Sequence, residues 1–256
     1  MSEIIDDIVI LGRAVPERLN DGRVTVCLGG YSPTRGFIRL YPTRLKMKVS
    51  RWDVIKVEVE KNERDNRHES WKIIDSGGAW EEVIQKVEKV GKIKSPFERR
   101  QLVTGNLANC VEDLKSIQQS LGLIQPDKIL KRYFNLNPQH GKMVQKLLFP
   151  EYDESWANVK SDFEHEPRLK YLCPECKTQQ GYHDQKILEW GWFEFMRKNP
   201  GKREQLWANA RFDSEKHDIF LFTGNQFRYP NSYLIISVIP IQKNPKPPKP
   251  KQHQLL

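Results

Sequence analysis

No stretch of this chain approaches the 18 or so consecutive apolar residues that cross a bilayer as a helix, so no helical membrane anchor is expected. Cysteine is scarce, four in 256 residues, which excludes a small secreted scaffold built on disulfides. No repeat of solenoid length is visible. Gly141-Lys142 lacks the glycine-rich approach of a phosphate-binding loop, and no serine sits in a nucleophile elbow. The opening MSEIIDDIVILG places acids ahead of a short apolar run, the reverse of a secretory signal, and the expectation is a cytoplasmic protein.

What the chain has is charge. Lys and Arg number 42 against 33 Asp and Glu, a formal net charge of +9. The excess is uneven: residues 81–150 hold 12 basic and 7 acidic residues, residues 151–240 hold 12 and 14, and the last 16 hold four basic and none acidic. A balance of this kind suits nucleic acid, an anionic membrane or an acidic protein.

The hydrophobic pattern predicts an α+β protein. Residues 7–12 (DIVILG), 23–28 (RVTVCL), 36–41 (GFIRLY) and 53–60 (DVIKVEVE) read as short strands. In the last of these Ile55, Val57 and Val59 alternate with Lys56, Glu58 and Glu60. Such strands, punctuated by Gly and Pro, predict a small N-terminal β-barrel over 1–78. Residues 79–150 read as a helical segment, with Trp80, Val83, Ile84, Val87 and Val90 at helical spacing, a second helix over 106–121 and a third over 142–148. Residues 151–168 read as a connector. Residues 151–240 form a Cys-x-x-Cys-containing α+β module whose strand candidates are 218–223 and 232–240. Residues 241–256, basic and proline-rich, read as a disordered tail that could dock a protein partner.

Cys173 and Cys176 are the one cysteine pair at metal-ligand spacing, and a Cys-x-x-Cys turn can place two thiolates on one zinc ion. Six residues separate Cys176 from His183 and seven separate His165 from Cys173, giving His-x7-Cys-x2-Cys-x6-His. The expected cofactor is structural zinc on Cys173, Cys176 and His183, with His165 as the fourth candidate. A thiol pair without metal and a redox pair are the alternatives. Cys27 and Cys110, isolated among apolar residues, read as buried free thiols. A zinc deaminase is excluded, because His165 and Glu166 are adjacent and Pro174 falls between the cysteines instead of before them. Residues 183–198 read as one helix, on which His183, Asp184 and Glu194 could serve a metal-dependent nuclease.

In residues 36–41 alternation sends Ile38 and Leu40 into the barrel and Phe37, Arg39 and Tyr41 to the opposite face. Tyr31, Arg35, Arg44, Lys46, Lys48 and Arg51 flank them. Rings that stack bases beside cations that follow phosphates are what single-strand binding requires. The alternative is that the rings pack against other parts of the chain. Gly22-Arg23, Cys27, Gly30 and the run from Gly36 through Pro42 resemble the opening of small OB-like or PUA/ASCH-like barrel modules of prokaryotic proteins, among them dual-OB proteins. The resemblance covers about the first 75 residues and implies nucleic-acid or nucleotide recognition on the barrel face.

Taken together, the sequence predicts a nucleic-acid-binding protein, DNA and RNA undistinguished, that uses this aromatic and basic face and carries structural zinc. A metal-dependent nuclease of a prokaryotic defence or mobile-element system, and a protein-interaction adaptor, are the other two readings.

Overall fold

The computed structural model describes residues 2–19, 22–74, 80–141 and 158–248. The expected helix over 142–148, the first part of the expected connector and the end of the basic tail lie outside them.

The N-terminal region is a five-stranded barrel. Strands β1 (Ser2–Arg13), β3 (Val24–Ser32), β4 (Gly36–Thr43), β6 (Ser70–Ile73) and β5 (Asp53–Lys61) neighbour one another in that order, and β5 pairs again with β1 to close the ring. The short β2 (Glu17–Arg18) joins β3, and β4 runs parallel to β6. The interior is filled as the alternation predicts. Ile55, Val57 and Val59 are buried with Ile38 and Leu40, while Lys56 and Glu58 face out.

The described residues 80–141 are not a helical segment. The spacing of Trp80, Val83 and Ile84 belongs to a single 3-10 turn, and Val87 and Val90 lie on β7 (Val87–Lys92), which pairs with β5. Helix α1 (Pro96–Thr104) is capped by Ser95, whose hydroxyl accepts from the Glu98 N–H, and it ends at Gly105. The expected helix over 106–121 divides into β8 (Leu107–Ala108), α2 (Val111–Ser116) and β9 (Leu121–Ile124). Helix α2 stops where Gln118 adopts a φ of 56°. All four residues of β9 are buried on a strand covered on both sides, and a run of that kind carries no period to separate helix from strand.

Beyond β9 come β10 (Lys128–Leu136), β11 (His165–Leu172), β12 (His183–Lys186), α3 (Trp190–Lys198), α4 (Gln205–Asn209), β13 (His217–Gln226) and β14 (Tyr229–Gln242). Of the expected connector, residues 160–162 form a 3-10 turn and residues 165–168 open strand β11. The expected helix over 183–198 is strand β12 followed by α3. Strands β10, β11 and β12 form a three-stranded antiparallel sheet, and β14, β13, β9 and β8 a four-stranded one. The protein is mostly β, and the expected α+β class gives way to three sheets with short helices.

The outside of the barrel packs on the four-stranded sheet. Val9 and Leu11 of β1 share a core with Leu121, Leu123, Phe222 and Ile236. Two glycines permit the approach: a Cβ on Gly29 would stand 2.4 Å from the Phe222 ring, and one on Gly12 would stand 2.7 Å from Ser237 Cβ. A separate core beneath the three-stranded sheet joins Leu169, Tyr171 and Ile187 to Trp192 and Trp207.

Candidate metal centre and the covered barrel face

Three elements meet at one end of the three-stranded sheet. Cys110 is the residue before α2 and is fully buried. Cys173 follows the last residue of β11, and His183 opens β12, paired across the strands with Tyr171. The ligand atoms of Cys110, Cys173 and His183 all lie within 4.8 Å of one another. Cys110 Sγ is 3.3 Å from His183 Nε2. Zinc held at about 2.0 Å from nitrogen and about 2.3 Å from sulfur in a tetrahedron separates such atoms by about 3.5 Å, so the spacing fits an ion at their centre. Cys176 stands at the rim, its sulfur within hydrogen-bonding reach of Cys110. The donor set within that distance is two sulfurs and an imidazole; Cys176, expected from the sequence as a ligand, is not part of it.

The electrostatics follow from burial. Desolvation pushes the Cys173 thiol up, and the neighbouring Cys110 sulfur adds to it. Desolvation also pulls His183 below the ordinary histidine value, which keeps its ring neutral, the form that binds metal. Burial alone would raise Cys176, but the Thr178 hydroxyl and the N–H groups of Thr178 and Cys173 outweigh it and hold this thiol low. The turn that carries Cys176 is fixed by Thr178 Oγ1 donating to the Tyr182 carbonyl (3.1 Å) and by Gly181 at a φ of 73°. Lys177 ties that turn to Asp113 of α2 at 2.7 Å.

His165 is not part of this group. It sits at the opposite end of β11 from Cys173, paired with Leu136, and Arg203 Nη1 approaches its Nε2 at 2.8 Å. Eight residues of extended strand span about 25 Å, too far for a shared ion. The residue that joins Cys173 and His183 is Cys110, read from the sequence as an isolated buried thiol. It is buried, but 63 residues before Cys173, and no local spacing could flag it.

The expected nuclease triad is not assembled either. Neighbouring residues of a strand face opposite ways, so His183 points into the core while Asp184 lies on the outer face, where it accepts from the Tyr133 hydroxyl at 2.8 Å and the Arg168 Nε at 3.0 Å. Glu194 lies on α3 and pairs with Arg197 at 2.8 Å.

The aromatic and basic face of the barrel is covered at its centre, while Arg35, Lys46 and Lys48 stay exposed at its edge. Phe37 stacks on Phe222 of β13 with centroids 6.1 Å apart, and Tyr31 meets Phe37 edge-on at 5.3 Å. Arg39, 4 % exposed, donates to the Ser120 carbonyl at 3.0 Å and to the Ser120 hydroxyl at 3.2 Å. Glu69 holds the same serine from the other side through its N–H and hydroxyl. Burial pulls Arg39 below the usual guanidinium value and raises Tyr41 to about 12. Arg51 donates to the Val238 carbonyl and to Ser237 Oγ, and pairs with Glu189. Arg44 is buried, Arg35 pairs with Glu3, and Lys46 and Lys48 stand exposed in the turn after β4. The centre of the expected stacking face is thus not open: Phe37, Arg39 and Arg51 join the barrel to the second half of the chain, because large π surface is more stable against another sheet than in water.

Fold and site together define a mostly β protein with an N-terminal five-stranded barrel and a buried Cys/Cys/His group able to hold a metal ion. Residues 5–105, the barrel and its continuation into α1, match the family described as "Domain of unknown function (DUF8758)". No curated protein matches the chain in sequence. A solved structure of a murine DNA-binding protein bound with double-stranded DNA aligns over 96 % of this chain and 98 % of that one, at 10 % identity and a TM-score of 0.31, a level at which two folds need not coincide.

Proposed function

We propose that this chain is a nucleic-acid-binding protein braced by a structural zinc ion. The observation that carries the reading is the buried group of Cys110, Cys173 and His183, with Cys176 beside it. Cys110, Cys173 and His183 supply three buried ligands, and the nearby Cys176 would close the tetrahedral shell as a fourth, the arrangement of a structural ion with no position left for water or substrate. It fixes the start of α2 to the turn between β11 and β12, two segments otherwise tied by the single exposed Lys177–Asp113 pair and by core packing. Nucleic acid enters through charge: a net +9 favours a polyanion. The barrel, OB-like in this reading, serves as scaffold.

The test is metal content together with oligonucleotide binding. Protein purified without chelator is expected to contain one zinc per chain, and Cys110→Ser and Cys173→Ser to contain none. Fluorescence anisotropy is expected to give saturable binding to DNA or RNA oligonucleotides that weakens as salt rises. Absence of zinc from wild-type protein grown with added zinc overturns the brace, and absence of binding at low salt overturns the nucleic-acid part.

A further inference from the structure

With Arg39, Arg44 and Arg51 engaged at the barrel face, the exposed cations there are reduced to Arg35, Lys46 and Lys48, and one sheet face elsewhere collects a denser set. In the three-stranded sheet, register places Tyr133, Arg168 and Lys186 in one cross-strand row and Lys131, Lys170 and Asp184 in the next. A bulge at Leu130 keeps Lys131 and Tyr133 on the same side, opposite Ile129 and Phe134, which pack into the core. The reverse side of β11 is Leu169 and Tyr171, both fully buried, so this face is the outward one.

Two carboxylates on the face are already committed. Asp184 accepts from Tyr133 and Arg168 and lies 3.6 Å from Lys170, and Glu166 is paired with Lys186 at 2.6 Å. These contacts order the row and leave a positive surplus. Lys131 stands over the Tyr133 ring at 5.0 Å and Lys170 over the Tyr182 ring at 5.0 Å. Rings and ammonium groups therefore alternate across one flat surface about 10 Å wide, three strands at the usual spacing. Its end is held by the Cys110, Cys173 and His183 group, since His183 begins β12.

We infer that this outer face of β10, β11 and β12 is the nucleic-acid surface and that it takes a single strand, with bases against Tyr133 and Tyr182 and phosphates at Lys131, Lys170 and Arg168. The inference rests on the nucleic-acid reading above. A single strand is favoured over a duplex because a flat face with rings can stack on unpaired bases, whereas nothing on it projects into a groove.

The experiment is anisotropy on the full chain with labelled oligo(dT), oligo(rU) and a duplex of equal length, over a salt series. Lys131→Glu/Lys170→Glu is compared with a charge-matched control on the barrel, Lys56→Glu/Lys94→Glu, and zinc content is measured in each. The expected result is single-strand binding tighter than duplex binding, weakened tenfold or more by Lys131→Glu/Lys170→Glu and less than threefold by the control, with zinc unchanged. Tyr133→Leu/Tyr182→Leu, which removes both rings, is expected to weaken binding without flattening the salt dependence, since it removes no charge. Wild-type binding that both lysine pairs weaken equally, that neither weakens, or that prefers duplex overturns this assignment and leaves the nucleic-acid reading standing. Absence of wild-type binding overturns both.

Discussion

Cys110 Sγ and His183 Nε2 lie 3.3 Å apart across 73 residues of sequence, and this contact places the start of α2 on the β11–β12 turn. A thiol and a neutral imidazole buried together without metal share one weak hydrogen bond. With a metal ion between them they become two of its ligands, and the binding free energy adds to folding.

Metal removal should therefore act on stability. At free zinc 100 times the dissociation constant the ion contributes about 2.7 kcal/mol. Chelation is expected to lower the thermal midpoint of wild-type protein and to leave Cys110→Ser unchanged. His165→Ala, outside the group, should keep both its zinc and its response to chelator. Retention of zinc by Cys110→Ser alongside its loss from His165→Ala would overturn the assignment.

Arg39, within the GFIRLY run, and Lys48, in the turn after it, are both candidates in the sequence, yet their surroundings differ. Arg39 donates twice to Ser120 in the buried seam between barrel and second sheet, while Lys48 stands in solvent. Arg39→Ala is expected to cost about 3 kcal/mol, by opening a cavity and removing both hydrogen bonds from the guanidinium to Ser120. Lys48→Ala should stay within about 0.5 kcal/mol. Urea unfolding checks both: a midpoint shift confined to Arg39→Ala, at constant slope, marks a structural arginine. Equal midpoints for the two variants would contradict the buried seam.

The barrel was legible because its signal is local. Ile55, Val57 and Val59 alternate with charged residues, and Ile38 and Leu40 alternate with Arg39, so inside and outside can be read from one strand at a time. What covers the outside cannot. Phe37 and Phe222 stack across 185 positions, and neither residue's neighbours announce the other. The same limit applies to the metal group: the Cys173, Cys176 and His183 spacing is visible, whereas Cys110 comes from another element. The helical reading failed over residues 80–141 for a different reason. Val87, Val90 and the Leu121–Ile124 run carry apolar residues compatible with either period, and pairing with β5 and β13 decides in favour of strands.

Two glycines should respond oppositely to alanine. Gly29→Ala places a methyl 2.4 Å from the Phe222 ring, so the sheets must separate or the ring must leave its rotamer, at about 1 to 3 kcal/mol. Gly191, in the first turn of α3, has open space where a Cβ would go, and Gly191→Ala is expected to stabilise by about 0.5 to 1 kcal/mol. Thermal midpoints moving the same way in both variants would contradict the close approach at Gly29.

The pH response is expected to centre on Asp53. Its carboxylate is 1 % exposed, and that burial alone would raise its pKa. Lys89 at 2.9 Å, the Ser50 N–H and hydroxyl at 2.9 Å each and Lys92 at 3.1 Å reverse the effect and hold it at about 2, below the ordinary 3.8. A carboxylate whose folded value is depressed binds protons more weakly in the folded state than in the unfolded one. Its stabilisation is complete above about pH 4 and is lost as pH falls towards 2. The shift corresponds to roughly 2 kcal/mol. Asp53→Asn is expected to unfold at a lower urea concentration than wild type at pH 7, and the gap should narrow as pH falls from 4 to 2 while both proteins weaken. A gap that persists undiminished in acid would mean that asparagine fails there through lost shape or hydrogen bonding, and that the two lysines contribute nothing through charge.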